Sequence, residues 1–481
     1  MVSSFVRRLL RLTIASLCVL IGLENGSAVA QDRRPWQADA SVLVLGSSSE
    51  QVPFWLQSNR YGTVDSTSAN ALLRASLQRR FSLAPNWGLT VGGELLGRAA
   101  NQSSFHAHQL YGRLDYRGLR LQVGRWEESP TGLTHPTLSI GSLGRSRNAP
   151  PLPKIVLETS GYVSVPGTGD ALAINAYAAH GWFPDDRFVA DPYLHEKYLY
   201  LRFPSRERSV QLILGVLQHT IWGGTHPARG PLPQDAEAFL RVLGGRAGGD
   251  TAPRQEQNGT IGSTEAGYDF GVAVQVGTID LQASRYFHHT DRPSLLFRNP
   301  WDGMWELRAE RSSDDHLVHT LVWNHMRVTR HNAKFSEGQE RGADSYYNNV
   351  LYRGGWVHRG FTIGSPLLLP NRRGPGVGNN IVVAHHLGLA GTLPAALRYR
   401  LRLTYSRHYG AQGVCADASC SELVDARSDR TDQYATRLAL TRDVGDLSIR
   451  TAVAADLGSL YPDRLGVEVG LSWTGSFRAL F

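Results

Sequence analysis

"LYGRLDYRGLRLQVGRW", Leu110 to Trp126, decides the fold class. Leu114 and Tyr116 alternate with Arg113 and Asp115, Arg117-Gly118 turns the chain, and Leu119, Leu121 and Val123 then alternate with Arg120 and Gln122. Alternation at a period of two on both sides of a two-residue turn containing glycine specifies a β-hairpin. One face of this hairpin is apolar and the other carries arginine, acid and amide. The same unit recurs along the chain. "LQRRFSLAPNWGLTVGGELLG" turns at Ala84 to Trp87, and "LYLRFPSRERSVQLILGVL" at Pro204 to Arg208. "FGVAVQVGTIDLQASRY" turns at Gly277-Thr278, and "RLALTRDVGDLSIRTAVAADL" near Gly445-Asp446. From Ala40 onward the pattern predicts nineteen or twenty strands.

The connections are asymmetric. Turns of two to five residues alternate with long polar stretches at 127–155, 220–266, 288–303, 329–345 and 409–431. Short turns at one end and long loops at the other are the layout of an outer-membrane barrel. A closed barrel also satisfies every backbone group in lipid, which an open sheet cannot do. Mean hydropathy is only −0.26, because half of each strand faces away from lipid. After residue 30 no run of eighteen apolar residues occurs, so helical spans are not predicted. The last stretch, "VEVGLSWTGSFRALF", places Trp473, Phe477 and Phe481 on one apolar parity. It reads as a closing strand and as an insertion signal for the barrel-assembly machinery.

At the other end Arg7, Arg8 and Arg11 precede an apolar run from Leu12 to Leu23, and Ala28-Val29-Ala30 offers a cleavage site. Residues 1–30 therefore read as a signal peptide that is removed, leaving 31–481 as a single barrel domain. Export permits a disulfide, and Cys415 and Cys420 in "GVCADASCSE" are the pair expected to staple a loop. No second ligand pair stands near them, so no metal site is predicted. Three stretches depart from strand patterning and are candidates for a plug: 47–70, 127–155 and 220–266. The third contains "QDAEAFLRVLGG", where Ala236, Phe239, Leu240 and Leu243 fall at helical spacing before Gly244.

Enzyme motifs are weak. "HEKY" at His195 to Tyr198 has Leu199 where a zinc-binding histidine would stand. "GPGVGNN" (374–380) lacks nucleotide-loop spacing, no G-x-S-x-G occurs, and Asp185-Asp186 reads as a solvated loop pair. The chain is expected to be no enzyme and to need no cofactor. Nucleic acid is not among the predicted partners, and a monomer in outer-membrane lipid is expected.

The polar strand faces say more. In "LRYRLRLTYSRHY", Arg398, Arg400 and Arg402 share a face with Thr404, Ser406 and His408. The same parity turns Arg74, Arg80, Arg113, Arg120 and Arg450 into the lumen. Charge on the lipid face near mid-bilayer costs roughly 2–4 kcal/mol per residue. Such a wall suits carboxylate or phosphate groups, whose geometry matches the guanidinium fork; charged barrel interiors also serve solvation and plug docking. Trp182, Phe183, Trp222, Trp301 and Trp305 lie near strand ends or in loops, where they can stack on sugars or form an interfacial girdle.

The irregular segments "PFWLQSNRYGTVD", "SRNAPPLPKI", "DPYLHEKYLYLRF", "HTIWGG" and "AFLRVLGGRAG" resemble, in order, segments of the Wzi-type capsule-assembly outer-membrane proteins of the Bacteroidetes-like branch. The resemblance implies an all-β transmembrane antiparallel barrel of about 18 strands (18–20 with the strand count above) closed by a small helical plug. It implies a lectin-like role at the bacterial outer membrane, with surface-exposed loops and with exported capsular polysaccharide held at the cell surface by either the loops or the lumen. The arginine wall favours an acidic polymer, with Arg398, Arg400, Arg402, Arg113, Arg120, Trp182, Trp222 and Trp301 as candidate contacts. A porin for anionic or sugar solutes is the alternative, and an outer-membrane hydrolase a lesser one.

Overall fold

The computed structural model describes residues 35–184, 186–204, 210–290 and 297–477. Residues 1–34, on which the expected signal peptide falls, lie outside it, as do Asp185, Phe481 and most of the turn from Pro204 to Arg208.

Among the described residues eighteen antiparallel strands close one barrel, each pairing with its neighbours in sequence. They are β1 (Trp36–Gln51), β2 (Thr67–Ala84), β3 (Trp87–Ala99), β4 (Ser104–Tyr116), β5 (Leu119–Arg125), β6 (Lys154–Thr159, continued by Val163–Ser164), β7 (Ala173–Trp182), β8 (Tyr193–Phe203) and β9 (Val210–Trp222). The second half comprises β10 (Ser263–Val276), β11 (Ile279–His289), β12 (Gly303–Arg311), β13 (Thr320–Val328), β14 (Val382–Leu393), β15 (Leu397–Cys415), β16 (Leu423–Val444), β17 (Leu447–Gly458) and β18 (Arg464–Phe477). The seam is β1 against β18, in register from Trp36–Phe477 to Ser47–Gly466. The count of nineteen or twenty is thus corrected to eighteen. Val357–His358, Phe361–Thr362, Leu369–Pro370 and Val377–Asn379 have strand character but pair only among themselves inside the lumen.

The hairpin quoted first folds as β4 and β5, with Leu114 opposite Leu121 and Arg113 opposite Gln122. Leu121 points out and Gln122 is buried in the lumen. This parity holds around the barrel: Val44, Leu73, Leu157, Val216, Leu307, Val453 and Val469 are all exposed outward. From Leu465 to Phe477, twelve steps of about 3.3 Å inclined by about 40° rise roughly 30 Å, enough for the apolar band of a transmembrane barrel. Aromatic rings border the band at both rims. Trp87 stacks on Tyr116 at 4.3 Å, with Trp36, Trp473 and Phe477 beside the short turns, while Trp305, Trp323 and Tyr434 lie toward the long loops.

Three chain segments fill the lumen. The first, 52–66, contains helix α1 (Phe54–Gln57), the second is 126–153, and the third is 329–381. Trp55, Ile140, Leu143, Tyr346, Tyr347 and Trp356 are at most 1% exposed at their centre. Inward-pointing groups of the wall receive the backbone N–H groups of these segments. Asp456 accepts from Phe54 (2.8 Å), Asp269 from Leu133 (2.7 Å), Glu306 from His135 (2.8 Å), Asn324 from Ile140 (3.1 Å) and Glu265 from Tyr347 (2.8 Å). Irregular backbone buried from water needs partners, and the wall supplies them from β10, β12, β13 and β17. Two glycines make room. A Cβ on Gly62, whose φ is +64°, would meet Pro150 at 2.5 Å, and one on Gly388 would meet the Leu138 carbonyl oxygen at 2.6 Å.

The plug boundaries therefore shift. Candidate 47–70 contains the first segment with strand residues at both ends, and 127–155 covers all of the second but Trp126 and adds the first two residues of β6. Candidate 220–266 is corrected. Its helix α2 (Ala236–Leu243) packs on the outward-pointing Tyr193, His195 and Trp222, and Lys197 donates to its last carbonyls, Val242 (3.2 Å) and Leu243. The largest plug piece, 329–381, reads in sequence only as a loop over 329–345, because it lacks helical or strand periodicity. Cys415 and Cys420 are disulfide-bonded at the tip of the β15–β16 hairpin. Helix α3 (Arg254–Asn258) completes the β9–β10 loop.

Candidate functional site

The plug divides the lumen into spaces that open toward different rims. On the short-turn side lies a cavity of about 280 Å³. Inward positions of β2, β15, β16 and β17 contribute Arg74, Arg400, Arg402, Arg437 and Arg450, and the plug contributes Arg60 and Arg147 as a ceiling. Glu468 is 1% exposed and pairs with Arg60, with Arg437 (3.1 Å) and with Arg450 (3.3 Å). Arg74 is neutralised by Glu94 (2.8 Å) and Glu127 (2.6 Å). The Arg402 guanidinium lies 4.8 Å above the Trp55 ring and donates to the Thr137 carbonyl oxygen. Arg147 donates to Tyr61 Oη (3.0 Å) and to the Pro136 carbonyl oxygen (3.2 Å). Arg400 has no carboxylate within ion-pair distance among the described residues. Seven guanidiniums thus meet three carboxylates, an excess of four positive charges.

Beside it is a second cavity of about 510 Å³, and Glu127 lines both. Its wall is rich in tyrosine: Tyr177 stacks on Tyr198 at 4.9 Å, with Tyr111, Tyr162 and Tyr200 around them. Arg113 and Arg120 are here but are spoken for. Asp115 faces both, at 3.5 Å and 2.8 Å, and Glu158 binds Arg120 at 3.2 Å. Deeper, Glu196 holds Arg145 (3.1 Å), Lys154 (2.6 Å) and His219 (3.1 Å). Burial alone would lower the Arg145 guanidinium, but Glu128 and Glu196 outweigh it and hold it well above its ordinary value. His195, the neighbour of Glu196, points the other way onto Phe239.

Toward the long-loop rim opens a cleft of about 770 Å³ between plug and loops. Tyr61, Phe361 and Tyr461 line it, and Arg98, Arg359 and Arg372 supply charge. The Tyr61 ring already carries the Arg147 guanidinium at 5.1 Å, and the Tyr461 ring those of Arg464 (4.6 Å) and Arg372 (5.9 Å). Asn101, Gln102 and Asn371 add amide groups. Burial pushes the Tyr461 phenol up to about 12 and raises that of Tyr61 against the pull of Arg147, and the Tyr61 hydroxyl donates to the Glu128 carbonyl oxygen at 2.8 Å. Aromatic planes with amide and guanidinium groups are the chemistry that binds sugar hydroxyls and carboxylates.

The predicted site residues separate. Arg400 and Arg402 come together with Arg74 and Arg450, which the parity also turned inward. Arg398 lies below them, half exposed and bound to both oxygens of Asp443 at 2.7 and 2.8 Å. Trp182, Trp222 and Trp301 do not converge on any cavity: Trp182 and Trp222 sit on the outer wall near α2, and Trp301 lies in the β11–β12 loop against Phe335. None of the eight lines the long-loop cleft. Tyr61 lay within a quoted irregular segment, but nothing in the sequence pointed to Arg372 or Tyr461, which the fold brings together from distant loops. His108, Glu94 and Glu127 have ligating atoms within 4.8 Å of one another, yet the Arg74 guanidinium bridges the two carboxylates, so the cluster is an ion-pair network.

Among solved structures the chain is similar to Wzi of Escherichia coli, described as an outer-membrane protein involved in group 1 capsule assembly and a carbohydrate-binding β-barrel. The TM-score is 0.57 at 15% identity, over 93% of this chain and 85% of that one. Pseudomonas aeruginosa OccK5 covers 92% of this chain and 98% of its own at 11% identity, with a TM-score of 0.47. OccK2 of the same organism, solved with glucuronate, matches at 12% identity with a TM-score of 0.47. No family model matches the chain. No curated protein matches it. At these identities the likeness establishes the fold, an outer-membrane β-barrel.

Proposed function

We propose that this protein retains an acidic surface polysaccharide on the outer face of the outer membrane and neither cuts nor conducts it. Under this reading it is a Wzi-type capsule-assembly barrel, monomeric, inserted by assembly machinery that reads its terminal strand. The observation that carries the reading is the plug. Three segments of the chain's own backbone are fastened to the wall by buried acids and amides, and the aromatic side chains at their centre, Trp55, Tyr346, Tyr347 and Trp356, are buried. A conduit does not need its middle built as a packed core.

By the usual layout the long loops face outward and the short turns face the periplasm. A surface polymer then reaches the long-loop cleft, where the Phe361 ring stacks on a sugar, Asn101 and Gln102 meet hydroxyls, and Arg98 and Arg372 meet carboxylates. The non-enzymatic reading is supported by Glu196, which is engaged by three cationic or imidazole groups while His195 faces the opposite side of the sheet. Binding of purified protein to its host's surface polysaccharide tests the proposal. Affinity should fall with ionic strength, because charge pairing is screened over about 10 Å at 0.1 M salt, and carboxyl-reduced polymer should bind far more weakly. Equal affinity for both polymers at all salt concentrations refutes the acidic ligand. The channel alternative predicts sustained openings in planar bilayers, whereas the plugged barrel predicts none.

A further inference from the structure

The arginine-lined cavity lies on the wrong side of the plug for a surface polymer, and this asks for a ligand of its own. We infer that it binds a small multivalent oxyanion, a phosphate- or carboxylate-bearing molecule that enters from the short-turn rim. Three features converge. The charge excess of four gathers around a cavity of about 280 Å³. Arg402 stands directly opposite Arg437 in the β15–β16 register, an arrangement of like charges that destabilises a sheet unless something compensates it. Arg400, two residues below Arg402 on the same inward face, has no anionic partner among the described residues.

Existing carboxylates do not supply the compensation. Glu468 is already shared among Arg60, Arg437 and Arg450, and Glu94 and Glu127 are spent on Arg74. An oxyanion with two to four negative charges would accept from the forks of Arg400, Arg402 and Arg450 together. A monovalent ion would leave three of the four excess charges standing, and a neutral sugar all of them. The guanidinium is planar and always charged, so the site stays cationic at any physiological pH. Trp55, stacked on Arg402, makes occupancy visible.

The probe is inorganic pyrophosphate, titrated into full-length protein in detergent at low salt and followed by calorimetry and tryptophan fluorescence. One saturable site is expected, with affinity falling as salt rises. Arg400→Gln should weaken it at least tenfold while the barrel keeps its heat-modifiable migration; Arg400→Lys, which keeps the charge but loses the fork, should fall between. Arg372→Gln, in the long-loop cleft, should leave pyrophosphate binding within twofold and reduce polysaccharide binding, so failure of one site is distinguishable from failure of the other. Absence of saturable binding, an equal response to chloride at matched ionic strength, or unchanged affinity in Arg400→Gln overturns the inference.

Discussion

Asp456→Ala tests how the first plug segment is held. The carboxylate is fully buried, with one oxygen accepting both from Phe54 N–H (2.8 Å) and from Arg464 Nε (2.7 Å). Removing it leaves a guanidinium and a backbone N–H without their partner. Breaking a buried pair from one side costs about 3–5 kcal/mol, and the orphaned amide adds to this. Taking about 4 kcal/mol, undocking of residues 52–66 becomes about a thousandfold more populated. Hydrogen exchange by mass spectrometry reads this directly, because local opening sets amide exchange. Peptides covering 52–66 should exchange roughly a thousandfold faster, while those covering 126–153, anchored on Asp269 and Glu306, should change little. Asp456→Asn keeps an acceptor for Phe54 and should show a smaller effect. Unchanged exchange in 52–66, or equal acceleration in all three plug segments, refutes the idea that the wall groups act as independent anchors.

Val469→Arg places a charge outward within the apolar band and should lower barrel stability by roughly 2–4 kcal/mol in urea unfolding from lipid vesicles; an unchanged midpoint would contradict the lipid-facing assignment. Replacing Cys415 and Cys420 together by serine releases a short loop and should cost roughly 2 kcal/mol locally, seen as faster proteolysis at the β15–β16 tip with the barrel intact. Burial raises the Glu256 carboxyl above its ordinary value, so its stabilising contribution is complete below the unfolded value and fades as pH rises through the folded one. Glu256→Gln, which still accepts from Gly262 N–H, should therefore protect the β9–β10 loop from protease at pH 8 and make little difference at pH 4. In polysaccharide binding, the pair Arg98→Gln and Arg372→Gln should together weaken affinity at least tenfold and flatten its salt dependence.

The wall was legible because its physics is local. A one-residue slip would turn Val467, Val469 and Leu471 into the lumen and Glu468 into lipid, so alternation alone fixes which face each strand presents. That is why Arg74, Arg400, Arg402 and Arg450 could be placed inward before any coordinates, and why Trp473 and Phe477 fall outward as their parity required. The plug was not legible to the same degree. Residues 329–381 carry no repeating period, and their burial comes from contacts with Glu265, Leu143 and Gln412, far away in sequence. Helix α2 misled for the opposite reason: its amphipathic spacing was recognised, but spacing cannot say which side of a wall a helix will cover. The candidate site suffered most, since a shared parity puts residues in the lumen without saying on which side of the plug.

Retention of the polymer is read by deleting the gene and measuring cell-bound against shed surface polysaccharide. Total polymer should stay unchanged while it shifts from the bound to the shed fraction, a shift reversed by the wild-type chain and not by the variant carrying Arg98→Gln and Arg372→Gln. An unaltered bound fraction after deletion would contradict it.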